Sequence, residues 1–456
     1  MAGGRVVALG TRAAVVRALP RAERIDCGGR TVLPGLIDPH LHLFAVAARH
    51  VELDCAGFRR VRDLLAAVAR AAKGAPRGAW VRGGGLDDAR LDRLPTAAEL
   101  ERAAPRNPVR LRHRSRHASV LNTRGLARLA VATPGADRTT GLVAGAEPLV
   151  SRAVGPLAHD AIETGLVAAG RELASLGLTT VADATPRTWA GLAPLRRVMA
   201  RGEFPLRVIA MRPPGARPWR PWKRLVPGAV KVMVEEGPDG LRPDPAGLAR
   251  RVALAAHRSD QVAVHCVGMA TLVAALDAFA ALPARVRARR RHRLEHVAEC
   301  PPPLVPRIAA LGLTVVTNPA FVYWRGDVYR AETERSRHPW LYPARSLLSA
   351  GVRLAGASDA PVVSPNPWLG MGAARARRTA SGETFGTREQ LVADEALALF
   401  TTGAAWALHA DMLGRLVPGG PADLVVVDDR WLCGRGPHHA ARAWLTMANG
   451  RIVWHA

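Results

Sequence analysis

His40 and His42 stand one leucine apart in the stretch TVLPGLIDPHLHLF, residues 31–44. Side chains two positions apart on a β-strand point the same way. Asp38, His40 and His42 would then share one face, and Ile37, Leu41 and Leu43 the other. Two neutral imidazoles on one face can grip a single metal ion. Taken alone, the pair reads as well as two surface histidines near a strand end. Four more residues change the balance: Lys231 in AVKVMVE, His265 in VAVHCVG, His296 in RLEHVA and Asp359 in LAGASDAP. A lysine among β-branched apolar residues is costly to bury without a partner. The plain alternative for Lys231 is a strand-end amine paired with Glu235 or Glu236, and for His265 or His296 singly a hydrogen-bonded core histidine. All six falling at strand ends together point to a metal site.

The elements that must position these residues alternate in a regular order. Extended apolar runs are expected at 33–43, 179–185, 206–211, 229–235, 261–268, 291–298, 312–319 and 352–361. From residue 165 onward, helical patterns separate them, such as AIETGLVAAGRELASLG and MATLVAALDAFAAL. Continuous apolar strands alternating with helices imply parallel strands buried on both faces. Eight of them close a (β/α)8 barrel, the TIM-barrel form of the α/β class, whose functional groups sit at the C-terminal strand ends. Each of the six candidates falls there.

Two pieces lie outside this alternation. A long insertion at about 45–165 carries its own strand-like parts, WVRGGG and PVRLRHR, between barrel strands one and two. The ends of the chain, GGRVVALG (3–10), ADLVVVDDRW (422–431) and TMANGRIVWHA (446–456), read as short antiparallel strands. Asn449-Gly450 is a hairpin signature. The expected division is therefore a small composite β-sandwich domain from 1–32 and 410–456, and a barrel domain from 33–409 holding the insertion.

Composition narrows the function classes. The net charge of +26 raises nucleic acid as a partner. Yet 61 of the 64 cations are arginines scattered along the chain, the imprint of a GC-rich coding sequence. The one dense run, RVRARRRHR (285–293), lacks interleaved aromatics for base stacking. The expected partner is a small molecule rather than nucleic acid. No apolar run reaches the ~18 residues of a membrane span, so no membrane partner is expected. MAGGRVVALGTRAAVV does not look like a secretion signal. Five widely spaced cysteines, at 27, 55, 266, 300 and 433, favour reduced thiols and a cytoplasmic location. A homodimer is compatible with all of this.

The motifs PGLIDPHLH, VKVMVE, VAVHCVG, RLEHV, ASDAPV and GRLVPGGPADLVVVD, in this order, resemble the amidohydrolase superfamily. RHASVLNTRGL (116–126) in the insertion is similar to the YtcJ-like branch, which includes N-substituted formamide deformylases. The resemblance runs along nearly the whole chain. It implies a hydrolase of non-peptide carbon–nitrogen bonds, cutting a linear amide or formamide. His40, His42 and Asp359 would hold one divalent ion and His265 and His296 a second. Lys231 would carry a CO2-derived carbamate bridging the two. Zinc is the first expectation, with iron or manganese compatible with the same ligands. Asp359 would shuttle the proton from a metal-activated hydroxide to the leaving nitrogen.

The chain departs from the branch where EEGPDG (235–240) follows the lysine and HCVGMAT (265–271) follows the strand-five histidine. Glu235, Glu236 and Met269 therefore put substrate choice in doubt. His117 and Asn122 match the branch motif and are nominated for the substrate, with Tyr323 and Trp324 in the aromatic segment 318–343 as part of a lid. An ordinary packed surface loop is the alternative for that segment, and the same two readings apply to Trp219 and Trp222 on the connection before strand four. One rival is a mononuclear deaminase of the same superfamily acting on an aminated ring. Lys231, and a glutamate that precedes rather than follows His296, weigh against it. A remoter one is a non-catalytic or nucleic-acid-binding barrel.

Overall fold

The computed structural model describes residues 1–456 except 89, 115–117, 131–132, 238, 259, 289 and 429–439. Two compact units emerge, one from 1–43 with 169–456 and one from 44–168. The larger is built on eight strands: β1 Leu36–Leu41, β2 Leu178–Asp183, β3 Arg207–Arg212, β4 Leu225–Val232, β5 Val262–Cys266, β6 Arg293–His296, β7 Thr314–Thr317 and β8 Arg353–Gly356. They lie in sequential order, each parallel to its neighbour. The chain beyond β8 returns to β1, where the Asp359 amide donates to the His40 carbonyl at 2.9 Å and the His42 amide to that of Ala360 at 2.8 Å. This is the expected (β/α)8 architecture.

Apolar packing explains why these runs are strands. β2 and β7 are buried at every position, as strands covered on both faces must be. Inside, Ile37, Ala182, Ile209, Val316 and Ala355 pack with Ala404, Ala405, Ala407 and Leu413 from the segment after β8. Small alanines let that segment fit against the strands without a void. A parallel strand needs a crossover, and the helix Pro245–His257 between β4 and β5 shows how one is started. Asp244 caps it by accepting from the Gly247 amide at 2.9 Å, with proline at the first turn.

The chain termini form one four-stranded antiparallel sheet: Thr31–Pro34, Leu424–Val427, Leu445–Ala448 and Arg451–His455. Asn449 (φ 52°) and Gly450 (φ 75°) turn the hairpin in the left-handed region, as the dipeptide predicts. The strand supplied by the N-terminal part is Thr31–Pro34 rather than 3–10. Segment 3–10 meets the C-terminal part through Gly4, Arg5 and Val6 against 419–422, without forming a strand. Gly3 and Gly4, both at positive φ, break the ladder there. Gly35 separates the edge strand from β1. A Cβ on it would lie 2.4 Å from Thr179 Oγ1, so only glycine fits.

The smaller unit carries a five-stranded sheet: Leu53–Asp54, Val81–Leu86, Val109–His113, Ala118–Leu121 and Leu142–Ala144. The two expected strand-like stretches are its second and third members. Leu64 and Val68 of the helix Val61–Gly74 share a core with Leu100, Val109, Leu111 and Val120. Among the described residues, no helix is long and apolar enough to cross a membrane, and Cys27, Cys55, Cys266 and Cys300 are free thiols. Cys433 lies outside the described residues.

Candidate metal centre

The C-terminal ends of the strands bring the histidines together. His40 closes β1 with a buried ring, and His42 follows just beyond it. Their ring centroids are 5.8 Å apart. His296 at the end of β6 lies 4.7 Å from His40, and His265 on β5 lies 4.7 Å from His296. Asp359 completes the group. Its Oδ1 is 3.2 Å from His42 Nε2 and 3.6 Å from His40 Nε2. Ligand atoms of His40, His42 and Asp359 all fall within 4.8 Å of one another.

Asp38, expected on the same face, serves the backbone instead. It accepts from the His40 amide at 3.1 Å and the Ser358 hydroxyl at 2.5 Å, pinning β1 beside the chain that carries Asp359. The register irregularity between Asp38 and Leu41 is why simple alternation does not hold along this strand. His296 (φ 71°), Val297 (φ 48°) and Asp359 (φ 59°) are non-glycine residues in the left-handed region. Such backbone is held against its own preference, and it gathers at functional sites.

In three of the four histidines, a ring nitrogen has a partner outside the group. His40 Nδ1 meets Glu295 Oε2. Glu295 is itself gripped by Arg293, with Nε–Oε1 at 2.6 Å and Nη2–Oε2 at 2.9 Å. His42 Nδ1 lies 2.8 Å from Thr185 Oγ1. His296 Nδ1 lies 2.8 Å from Asn318 Oδ1, while Asn318 Nδ2 donates to the Ala357 carbonyl at 3.2 Å. That second bond fixes the amide orientation, so His296 Nδ1 must donate and Nε2 keeps its lone pair. The Glu295 bond does the same for His40. Buried partners of this kind orient metal-binding histidines and raise their basicity.

The electrostatics agree with a cation-binding role. Burial lowers His40 to about 3, with Lys231 adding to the effect and Glu295 opposing it. Burial likewise lowers His265 to about 2. Both rings are neutral near pH 7, as metal ligands must be. Burial favours a protonated Asp359, but the close approach of His42 and the surrounding imidazoles holds the carboxyl below its usual range. Lys231 is buried on β4, and loss of hydration lowers its pKa, opposed by Glu295 and Asp359. The pairing with Glu235 or Glu236 weighed from the sequence does not account for it. Those two lie exposed on a short hairpin, Glu235–Gly237 against Gly240–Arg242.

Among the described residues, two buried atoms of this group, His40 Nε2 and Asp359 Oδ1, find no hydrogen-bond partner. An imidazole lone pair and a carboxylate oxygen left open side by side fit a divalent cation. A second acid–histidine group, Asp87, Asp88 and His113, occurs in the smaller unit. There Asp87 is paired with Arg114 at 3.1 Å and Asp88 is exposed.

The pocket nominations fare differently. Asn122 is fully buried, and its side chain serves its own unit. Its Oδ1 accepts from the Val109 and Gly125 amides at 2.8 and 2.9 Å, and its Nδ2 donates to the Asn107 carbonyl at 2.9 Å. The residue is a helix cap and a strand tie. His117 lies outside the described residues. Tyr323 and Trp324 sit on a helix, Ala320–Glu332, where an open lid loop was expected. Tyr323 packs against Ala320, Val363 and Leu369, while Trp324 is exposed. Met269 opens the helix after β5 with its side chain exposed.

Sequence reasoning passed over Arg293, Asn318, Thr185 and Tyr342, and weighed Glu295 only against the deaminase. Asn318 directly follows β7 and Thr185 lies two residues past the end of β2, where the strand-end rule could have found them. Tyr342 is buried, with φ 51° and its hydroxyl 3.2 Å from that of Tyr329. Burial pushes this phenol well above its usual range, Tyr329 adds to the shift, and the negative Asp359 adds further. It is a neutral hydroxyl in the field of the site.

Residues 23–454 match the model of the amidohydrolase family. The chain is 29% identical over 510 residues to an N-substituted formamide deformylase of Arthrobacter pascens, covering 99% of this chain and 93% of that one. It is 25% identical over 487 residues to the YtcJ protein of Bacillus subtilis (strain 168), covering 95% and 91%. Among solved structures it resembles an uncharacterized metal-dependent hydrolase of Pyrococcus horikoshii OT3, with a TM-score of 0.81, 22% identity, and 97% and 95% of the two chains covered.

Proposed function

The chain belongs to the amidohydrolase family, hydrolases acting on carbon–nitrogen bonds, and we propose that it cuts a linear amide or formamide into a carboxylate (or formate) and an amine. The observation that carries this reading is the open pair His40 Nε2 and Asp359 Oδ1 beside the buried amine of Lys231. The formamide deformylase relative supports the choice of bond.

The residues present suit two divalent ions, zinc first. His40, His42 and Asp359 would hold one and His265 and His296 the other. When bound, the ions supply Lewis acidity and acidify a water enough to make hydroxide available near neutral pH. Lys231 would join them as a carbamate. Burial favours its neutral amine, whose nitrogen can add CO2 with release of one proton. The product is an anion, which relieves the cost of a buried ammonium facing cations.

The rest falls to side chains of this chain. Asp359 commits Oδ1 toward the histidines and keeps Oδ2 as proton acceptor, taking the proton of the attacking water and returning it to the leaving nitrogen. The left-handed backbone at Asp359 and its amide bond to His40 fix that carboxylate in place. Glu295 is already spent on Arg293 and His40, so it is not available as the proton carrier of a ring deaminase.

The test is amine release from a panel of N-formyl and N-acyl amines by metal-replete protein, with metals counted per chain. Hydrolysis with about two ions per chain is expected. An Asp359→Asn variant should lose roughly 10^2–10^4-fold in kcat/KM while keeping its far-ultraviolet circular dichroism. Undiminished release by that variant, or ring deamination with about one ion per chain, would overturn the reading.

A further inference from the structure

A second feature of the larger unit concerns binding. The segment after β3 reads Arg217-Pro218-Trp219-Arg220-Pro221-Trp222, a tandem Arg-Pro-Trp repeat. Proline fixes its own φ and pushes the preceding residue toward extended backbone. An extended chain with three residues per turn places like residues on one edge. Residues 216–221 indeed form neither helix nor strand. Trp219 and Trp222 meet Trp189, which follows β2, with ring centroids 5.8 and 6.3 Å apart. Together they line a cavity of about 600 Å³ that includes Arg217 and Arg220.

Three observations say what chemistry this cavity takes. First, its walls are indole and proline faces, which favour a flat aromatic ring. Second, the charge is of one sign. No carboxylate lines the cavity, and among the described residues Arg217 and Arg220 have no ion-pair partner. The ring faces a cation would use are also attended by the chain's own cations. The Arg196 guanidinium stands 4.0 Å over Trp189 and Lys223 Nζ 5.2 Å over Trp222. These resident cations work against an ammonium ligand. Third, among the described residues the buried Trp219 Nε1–H finds no acceptor, a donor left for an oxygen.

We propose that the cavity between Trp189 and the Arg-Pro-Trp repeat is a binding site for a planar aromatic anion such as an aryl carboxylate. The ring lies among the three indoles, and the anionic group takes the donors of Arg217 and Arg220. None of the lining residues belongs to the metal centre. The site therefore stands or falls independently of the bond the enzyme cuts. Its link to that centre is short along the chain: Thr185, the partner of His42 Nδ1, lies four residues before Trp189.

The experiment is calorimetric titration of metal-loaded protein with 2-naphthoate, its neutral amide and the corresponding aminomethyl cation. Saturable binding of the carboxylate is expected, at least about tenfold tighter than either analogue. An Arg217→Ser/Arg220→Ser double variant should weaken it at least about tenfold; both residues are exposed, so folding is not at stake. Trp189→Ala should weaken it similarly, and His42→Ala should leave it unchanged. Equal binding of the cation, full affinity in the double arginine variant, or loss in His42→Ala alone would each overturn the proposal, the last by placing the carboxylate at the metal centre.

Discussion

Each unit of the molecule buries an ionic cluster, and the two differ in one respect. In the smaller unit, Arg110 and Glu147 are 8% and 7% exposed and pair with each other. Ser119 bridges them, accepting from Arg110 Nε at 3.2 Å and donating to Glu147 Oε2 at 2.9 Å, and Arg112 joins at 3.2 Å. The charges end on one another. In the barrel, Arg293 grips Glu295 just as closely, but Glu295 passes on to His40, whose other nitrogen is left open. Burial and charge are thus shared by a structural tie and a candidate metal centre. What separates them is where the contacts lead: in the smaller unit the charges meet one another, whereas in the barrel they run on to an imidazole that faces Asp359 and His296.

Glu295→Gln is the strongest way to break this contrast. It leaves Arg293 buried without its counter-ion, at a cost of about 3–5 kcal/mol. It also removes the carboxylate that orients His40, so metal affinity should fall about 10–100-fold in a chelator-competition titration. Unchanged affinity would make the barrel cluster another structural tie. Glu147→Gln should cost a similar 3–5 kcal/mol in urea unfolding with metal affinity intact. A metal defect in this variant would erase the distinction.

The smallest effect is expected at Glu99. It closes the capping box with Thr96 and pairs with Arg93 at 2.6 Å. The Arg93 bond, then the Thr96 amide, lower its carboxyl to about 2. The folded pKa lies below the unfolded one, so this stabilisation is present above about pH 4.5 and is lost as pH falls through about 2. Water screens the pair, so Glu99→Gln should cost only about 0.5–1 kcal/mol at pH 7 and next to nothing near pH 2. A cost independent of pH would show that packing, rather than charge, holds the helix start.

Much of the barrel was legible because its signal is local. Runs such as QVAVHCVG and GLTVVTNP are too apolar to be anything but covered strands, and helical stretches mark the crossovers. The ligand candidates were legible for a related reason: a histidine, lysine or aspartate at the end of such a run is out of place unless it has work there. The edge of the terminal sheet was not legible. GGRVVALG and TVLP both suit a strand, and pairing with Leu424–Val427 decided for the second. The backbone role of Asn122 was not legible for a similar reason. A polar residue in a family motif looks like a substrate contact until its three backbone partners are seen.

The amino-acid order alone determined the eight strands, their direction and the residue types at their ends, since period and burial cost act over a few neighbouring positions. Only the folded chain decided which nitrogen of His40 and of His296 is left open. Glu295 reaches His40 across 255 positions, and Asn318 reaches His296 across 22. A tautomer is set by the hydrogen bond on the opposite nitrogen, and that bond exists only once distant strands lie side by side.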